Sequence, residues 1–306
     1  MLDKNGFLII NKVKDCTSHD CVREVRKLFN IKKVGHTGTL DPQVTGVLVI
    51  ALGHATRFIQ YLSKEKTYIG TIKLGLTTST DDIHGEILNK LDWPKLTNKD
   101  LEKYLSLFRG NIQQVPPKVS SVHIEGVRAY KKAFRKEEFV LKAREVSVNK
   151  LILKKWDKEN GKIDFLINCS SGTYIRSIAR DLGKALNSEG CLYKLNRTES
   201  SGFLIDQSFT IAELKQTTKN LNTFLEPTKN ALVHLPQLIL HTDEELLSWK
   251  TGRKIKFNPE NYLSELITEE QQPIKIINNN GELLGIGFYN SELEGFIQPK
   301  LVLNAK

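Results

Sequence analysis

The chain has 306 residues, 40% of them hydrophobic and 26% charged, which suits a folded protein of one large domain with room for a smaller one beside it. No run of about eighteen apolar residues occurs, which excludes a membrane-spanning helix, and four cysteines without a C-x-x-C pair (Cys16, Cys21, Cys169, Cys191) point to reduced thiols in the cytoplasm. A formal charge of +10 and a pI near 9.3 fit either a polyanion-binding protein or a merely lysine-rich one.

Clustering favours the first. Arg23, Arg26, Lys27, Lys32 and Lys33 stand together, and so do Lys131, Lys132, Arg135 and Lys136. The opening MLDKNGFLIINK carries an acid and a short apolar run, so Phe7–Ile10 reads as a strand and not as a secretory signal. Thr17 followed by Asp20 resembles a capping box, opening a helix with Val22, Val25 and Leu28 or Phe29 on one face and Asn30 as its stop. Next comes GHTGTLDPQVTG, Gly35 to Gly46, with Asp41 as its only acid. Pro42 restricts Asp41 to extended conformations, and the flanking glycines allow tight turns and the close approach of another molecule. Taken locally, Asp41 is either a turn residue or a reagent.

Val47–Leu52 reads as a buried strand and Ala55–Leu62 as a short helix. Thr67–Leu76 alternates, with Tyr68, Gly70, Ile72 and Leu74 on one face, so Tyr68 points toward an interior or a pocket. Asn98–Phe108 looks helical. Gln113–Glu138 is irregular, basic and too long for an ordinary loop, as binding arms are. Ile163–Cys169 is a strand, and a helix follows from about Thr173 to Asn187. Its buried face is Ile175, Ile178, Ala179, Leu182, Ala185 and Leu186, with Arg176, Arg180 and Lys184 as a stripe on another. Arg176 lies in the first turn, where the helix dipole disfavours cations; its partner is Asp41, an RNA phosphate or nothing at all. After Pro227 the pattern changes to short strands, and Pro273–Ile277 and Leu283–Tyr289 flank an Asn280-Gly281 hairpin turn. These features divide the chain into 1–231, with an arm at about 113–140, and 232–306. No internal repeat is evident.

Several chemistries lack their residues. The seven histidines form no H-x-x-x-H pair, so no metal site is expected. There is no G-x-S-x-G, no glycine loop ending in G-K-[ST], and no G-x-G-x-x-G after a strand, so neither a hydrolase elbow nor a nucleotide cofactor is expected. A lone aspartate, a tyrosine and an arginine in a basic protein suit chemistry on a flipped nucleobase.

With those residues assembled, the chain resembles the bacterial tRNA pseudouridine-55 synthases of the TruB type. GHTGTLDPQVTGVL (Gly35–Leu48) is similar to that family's signature. NKVKDCTSHD (Asn11–Asp20), KTYIGTIKLGLTTSTDDIHGEI (Lys66–Ile87), PPKVSSVHIEGVRAYKKAFR (Pro116–Arg135), SSGTYIRSIARDLG (Ser170–Gly183) and LNRTESSGF (Leu195–Phe203) follow in the family's order. Leu284–Leu303 resembles, more loosely, the small PUA-like RNA-binding module that ends many members.

The resemblance implies an α+β pseudouridine-synthase fold: a mixed, mainly antiparallel central sheet flanked by helices, with a small β-rich PUA-like domain at the C-terminus. It implies isomerisation of the T-loop uridine 55 of tRNA to pseudouridine, without metal or cofactor, by a cytoplasmic monomer. Asp41 would be the catalytic aspartate, Tyr68 would lie against the flipped base, and Arg176 would pair with Asp41. Leu195 would wall the pocket, His36 would touch the RNA where the uridine leaves its loop, and Lys12 would lie near the pocket or phosphates. Tyr174 would bind substrate or serve structure. Addition to uracil C6, attack at C1′ and abstraction of the C2′ proton stay open as routes. A non-catalytic RNA-folding helper and a synthase acting at another RNA position are the alternatives. The chain departs from the family at Val13 (usually proline), Asp15 and Lys136 (often glycine), and Val119, Ser121 and His123 in the arm.

Overall fold

The computed structural model of the chain describes residues 4–256, 272–290 and 295–303. The expected strand near the N-terminus is β1 (Gly6–Lys12), and α1 (Ser18–Phe29) starts on the Thr17 capping box and ends at Asn30, whose left-handed φ of 45° closes it. A short β2 (Val34–His36) precedes the glycine loop and β3 (Thr45–Leu52) follows it. The short helix expected over Ala55–Leu62 is a 3₁₀-helix, Gly53–Tyr61. Threefold winding puts Ala55 and Phe58, three apart, on one buried side.

The strand expected over Thr67–Leu76 is two. β4 (Lys66–Leu74) stops at Gly75, whose φ of +92° turns the chain into β5 (Leu76–Thr78), paired with β6 (Ile87–Lys90). Then come α2 (Asn98–Ser106) and β7 (Gly110–Gln114). The basic stretch beyond is not wholly irregular. It holds a small hairpin, β8 (His123–Ile124) and β9 (Val127–Arg128), and α3 (Ala129–Phe134). β10 (Arg144–Asp157), β11 (Lys162–Cys169), α4 (Ile175–Ala185), β12 (Gly190–Ser200), β13 (Phe203–Leu204), α5 (Ile211–Gln216) and β14 (Leu225–Glu226) follow. The C-terminal part has β15 (Gln237–Leu240), α6 (Asp243–Lys250), β16 (Ile255–Lys256), β17 (Pro273–Asn278), β18 (Leu283–Asn290) and β19 (Phe296–Val302). The Asn280-Gly281 hairpin is β17–β18. Of the PUA-like stretch Leu284–Leu303, residues 291–294 lie outside the described residues, as do Met1–Asp3 of the opening segment.

The main sheet runs β14-β1-β3-β12-β4-β11-β10-β7, with β2 on β3 and β13 on β12. Every pairing is antiparallel except β3 with β12, where Thr45 and Gly46 lie beside Asn196 and Arg197. The fold is therefore α+β on a mixed, mainly antiparallel sheet. A second sheet, β15-β17-β18-β19-β16, closes the chain.

β3 is buried on both faces because it separates two cores. Leu48, Ile50 and Leu52 join Val22, Val25, Phe165 and Ile178 on one side. Val47, Val49 and Ala51 join Phe58, Leu232, Ile286 and Leu301 on the other. Burying the five large side chains of that run is worth about 10 kcal/mol before entropy is counted. Asp15 and Lys136 both adopt left-handed backbone, φ 61° and 57°. That is why glycine is common there in the resembled family, and this chain accepts the strain.

Candidate active site

Each end of the glycine loop is tied down separately. His36 is the last residue of β2, and Thr37 N–H donates to Val49 O at 3.0 Å. The buried Ser18 accepts from Leu40 N–H at 2.8 Å. Asp41 to Val44 form a turn with Pro42 second, closed by Val44 N–H to Asp41 O at 3.0 Å. Gly46 has φ +105°, and a Cβ there would collide with the Arg197 carbonyl and Asn196 Oδ1. The molecule for which that glycine makes room is the protein's own β12.

Asp41 projects from this loop with its side chain 44% exposed, and Arg176 Nη2 meets its Oδ2 at 2.9 Å. Arg176 is otherwise buried. It donates to Thr80 O at 2.9 Å and to Val119 O at 3.0 Å, and its Nε lies 3.9 Å from Asp82 Oδ2. The expected cationic stripe on α4 is thus not a solvent face. Arg176 and Arg180 turn inward onto acids and arm carbonyls, Arg180 reaching Asp81 at 2.8 Å and Val115 O at 2.9 Å, and only Lys184 is exposed. A first-turn cation is tolerated because carboxylates offset the helix dipole. Between two carboxylates and two carbonyls the guanidinium has a fixed plane.

Asp41, Arg176 and Leu195 line one open cleft, together with Asp82, His84 and Tyr193, and with Lys14 and Lys194 exposed at its rim. Below it, β4 and β12 place Tyr68 opposite Arg197 and Gly70 opposite Leu195. A Cβ on Gly70 would sit 2.9 Å from Leu195 Cδ1, so the glycine lets that leucine lie flat. Tyr68 is 7% exposed. Burial pushes its hydroxyl above the usual range, the Arg197 guanidinium opposes this, and the Asp41 charge adds to it more weakly.

The remaining candidates lie around the cleft, not in it. Lys12 is 1% exposed and donates to Val13 O, Cys16 O and Pro42 O at 2.9, 2.8 and 3.0 Å. With three N–H bonds made to carbonyls it braces the loop from behind and has no free donor for a phosphate. His36 is half-buried with Nδ1 unpartnered, and burial, then Arg197, lowers its imidazole below the ordinary value, leaving it neutral near pH 7. Tyr174 caps α4: its N–H donates to Gln114 Oε1 at 2.8 Å, and Arg144 lies over its ring.

The sequence reading passed over Asp82, Lys66 and Arg197. Asp82 stood in the quoted TDDIHGE block. Lys66 had a signal, since the alternation that turns Tyr68 inward turns Lys66 inward too. Arg197, 0% exposed, stood in the quoted LNRTESSGF block but had no periodicity signal, because a charged residue in a strand reads as solvent-facing.

Comparison with known proteins places the chain in a family. Residues 26–175 match the model of the TruB family pseudouridylate synthase (N terminal domain). The tRNA pseudouridine synthase B of Prochlorococcus marinus (strain MIT 9515) is 58% identical over 303 residues, covering 99% of both chains. That of strain MIT 9312 is 57% identical over 309 residues, covering 100% of both. Among solved structures, a chain of a Cbf5-Nop10-Gar1 complex superposes with a TM-score of 0.74 at 22% identity, over 97% of this chain and 83% of that one. A chain of an H/ACA RNP bound to a substrate RNA containing 2'-deoxyuridine gives 0.71 at 21%, over 97% and 84%. These two establish the likeness of fold.

Proposed function

The chain belongs to the tRNA pseudouridine synthase B family, and we propose that it converts uridine 55 in the T-loop of tRNA into pseudouridine with Asp41 as the reacting carboxylate. One observation carries the assignment: a half-exposed acid in a cleft, held at 2.9 Å by a buried arginine that is itself fixed by two carbonyls. The reaction breaks the N1–C1′ bond of uridine, turns the uracil and forms a C5–C1′ bond. A proton leaves C5 and one is gained at N1, so the nucleotide's atoms balance with no co-substrate.

Arg176 keeps Asp41 aimed into the cleft as the base enters, its guanidinium staying opposite the carboxylate as water leaves. Uracil is beyond reach while stacked, so the nucleotide flips out, and Tyr68 supplies a flat face for it. Leu195 forms the apolar wall. His36, uncharged, meets the RNA where the nucleotide departs, Tyr174 holds the start of α4, and Lys12 braces the loop. Lys14 and Lys194 at the rim, and the exposed Lys131, Arg135 and Lys136 of the arm, suit the phosphates of the T stem-loop. We read the protein as a cytoplasmic monomer, with one such cleft per tRNA.

The test is tritium release from tRNA transcript labelled at uracil C5. Asp41→Asn should lose at least about 10³-fold in rate, while tRNA affinity in a filter-binding assay stays within about threefold. Full turnover by Asp41→Asn would falsify the assignment.

A further inference from the structure

Besides Lys12, the protein buries two more cations beneath the Asp41 loop that form no ion pair with a carboxylate among the described residues. Arg197 is 0% exposed and Lys66 9%. Neither has an acidic ion-pair partner among the described residues. Arg197 Nε donates to Val47 O at 2.7 Å and Nη2 to Gly38 O at 3.2 Å. One guanidinium thus joins the main chain before Asp41 to the main chain after it. Its third nitrogen, Nη1, is buried without a hydrogen-bond partner. Lys66 Nζ donates to Ser171 Oγ at 2.8 Å. Both side chains converge on Gly38, where an added Cβ would lie 3.3 Å from Lys66 Nζ and 3.9 Å from Arg197 Nη1. Tyr68 stands between them, opposite Arg197 and two residues along the same face from Lys66.

An unpaired buried ion is among the costliest features a fold can carry, and such groups concentrate where their charge is used. We propose that Lys66 and Arg197 are positioning residues for the isomerisation: Arg197 clasps both ends of the Asp41 loop, and the pair supplies uncompensated positive charge beneath the carboxylate and the Tyr68 hydroxyl. This rests on Asp41 as the reacting group. Facing Lys66 are Arg197 from β12, Tyr68 from its own strand and Cys169 from β11. Facing Asp41 are Arg176 from α4, Asp82 and His84 from the turn after β5, and Lys14 before α1, with Lys12 and Tyr68 deeper in.

Burial, reinforced by Arg197, brings the Lys66 ammonium down to about 8, so its charge can be titrated in an assay. At saturating tRNA the kcat of the unmodified enzyme should fall between about pH 7 and pH 9 as that proton is lost. Lys66→Arg, charged throughout, should abolish the alkaline limb. Lys66→Met should flatten the profile and lower kcat at neutral pH by about tenfold or more, with KM for tRNA moving less than about threefold. Arg197→Lys retains charge but not the two-ended clasp, and should lower kcat by about 10- to 100-fold in a protein that still melts cooperatively. A purely structural role would leave the alkaline limb in Lys66→Arg, and that result overturns the proposal. So does a folded Arg197→Lys with undiminished kcat; if that variant fails to fold, the Lys66 pair decides. Turnover by Asp41→Asn would instead overturn the reading on which the proposal stands.

Discussion

Replacing Lys66 by methionine should make the folded protein more stable while making the enzyme slower. The ammonium falls from its ordinary 10.5 to about 8, chiefly through burial and then through Arg197. At about 1.4 kcal/mol per pH unit, this shift amounts to about 3 kcal/mol of destabilisation when the lysine is charged. At 9% exposure little of that is screened by solvent. Methionine fills similar space without charge but loses the bond to Ser171, worth about 1 kcal/mol, so the net gain near pH 7 is about 2 kcal/mol. For 306 residues this raises the melting temperature by roughly 3 °C. The folded value lies below the unfolded one. Below about pH 8 both states hold the proton and the full penalty applies. Between about 8 and 10.5 only the unfolded chain holds it, so the stability of the lysine protein climbs with pH. Scanning calorimetry of both proteins near pH 7 and pH 10.5 should show the advantage of methionine at the first pH and its loss at the second. A methionine variant less stable near neutrality, or a gap that ignores pH, would refute the claim that Lys66 is a buried, uncompensated charge.

Three further outcomes are expected. Arg176→Lys keeps the charge but cannot span Asp41, Thr80 O and Val119 O together, and should lower kcat by about 10²-fold; undiminished turnover would show that the fork is dispensable. Gly46→Ala forces a Cβ into the Arg197 carbonyl at φ +105°, and should cost at least about 2 kcal/mol in a urea titration, with unchanged stability arguing against the close β3–β12 approach. Lys136→Gly relieves left-handed strain at an exposed arm position and should stabilise the protein by about 0.5–1 kcal/mol; a lower melting temperature would contradict it.

What the sequence announced depended on whether backbone and side chain carried the same message. Val47–Leu52 was legible because a strand between two cores is apolar at every position. The Thr17 box and Asn30 were legible because capping is local. β10 and β12 were not, although they are the two longest strands. Each contains two register shifts, so the alternation restarts partway along and never holds for long. β10 is moreover interrupted by exposed lysines, and β12 hides an arginine inside. In the site, the first-turn position of Arg176 signalled a need for anions, which Asp41 and Asp82 meet. Lys12 and Arg197 bind carbonyl oxygens, a kind of partner that every residue carries and no residue type reveals.

The double-sided burial of β3 bears on where this protein can be divided. Val47 begins directly after the Asp41 loop, and its face of the strand is roofed by Leu232, Ile286 and Leu301, which all lie beyond residue 231. A chain ended at that point would turn Phe7, Ile9, Val47 and Val49 toward water and leave the loop standing on half-unroofed strands. The C-terminal segment is therefore part of the core beneath the Asp41 loop. Shortening this protein from its C-terminus would strip the cover from one face of the strands that carry the Asp41 loop.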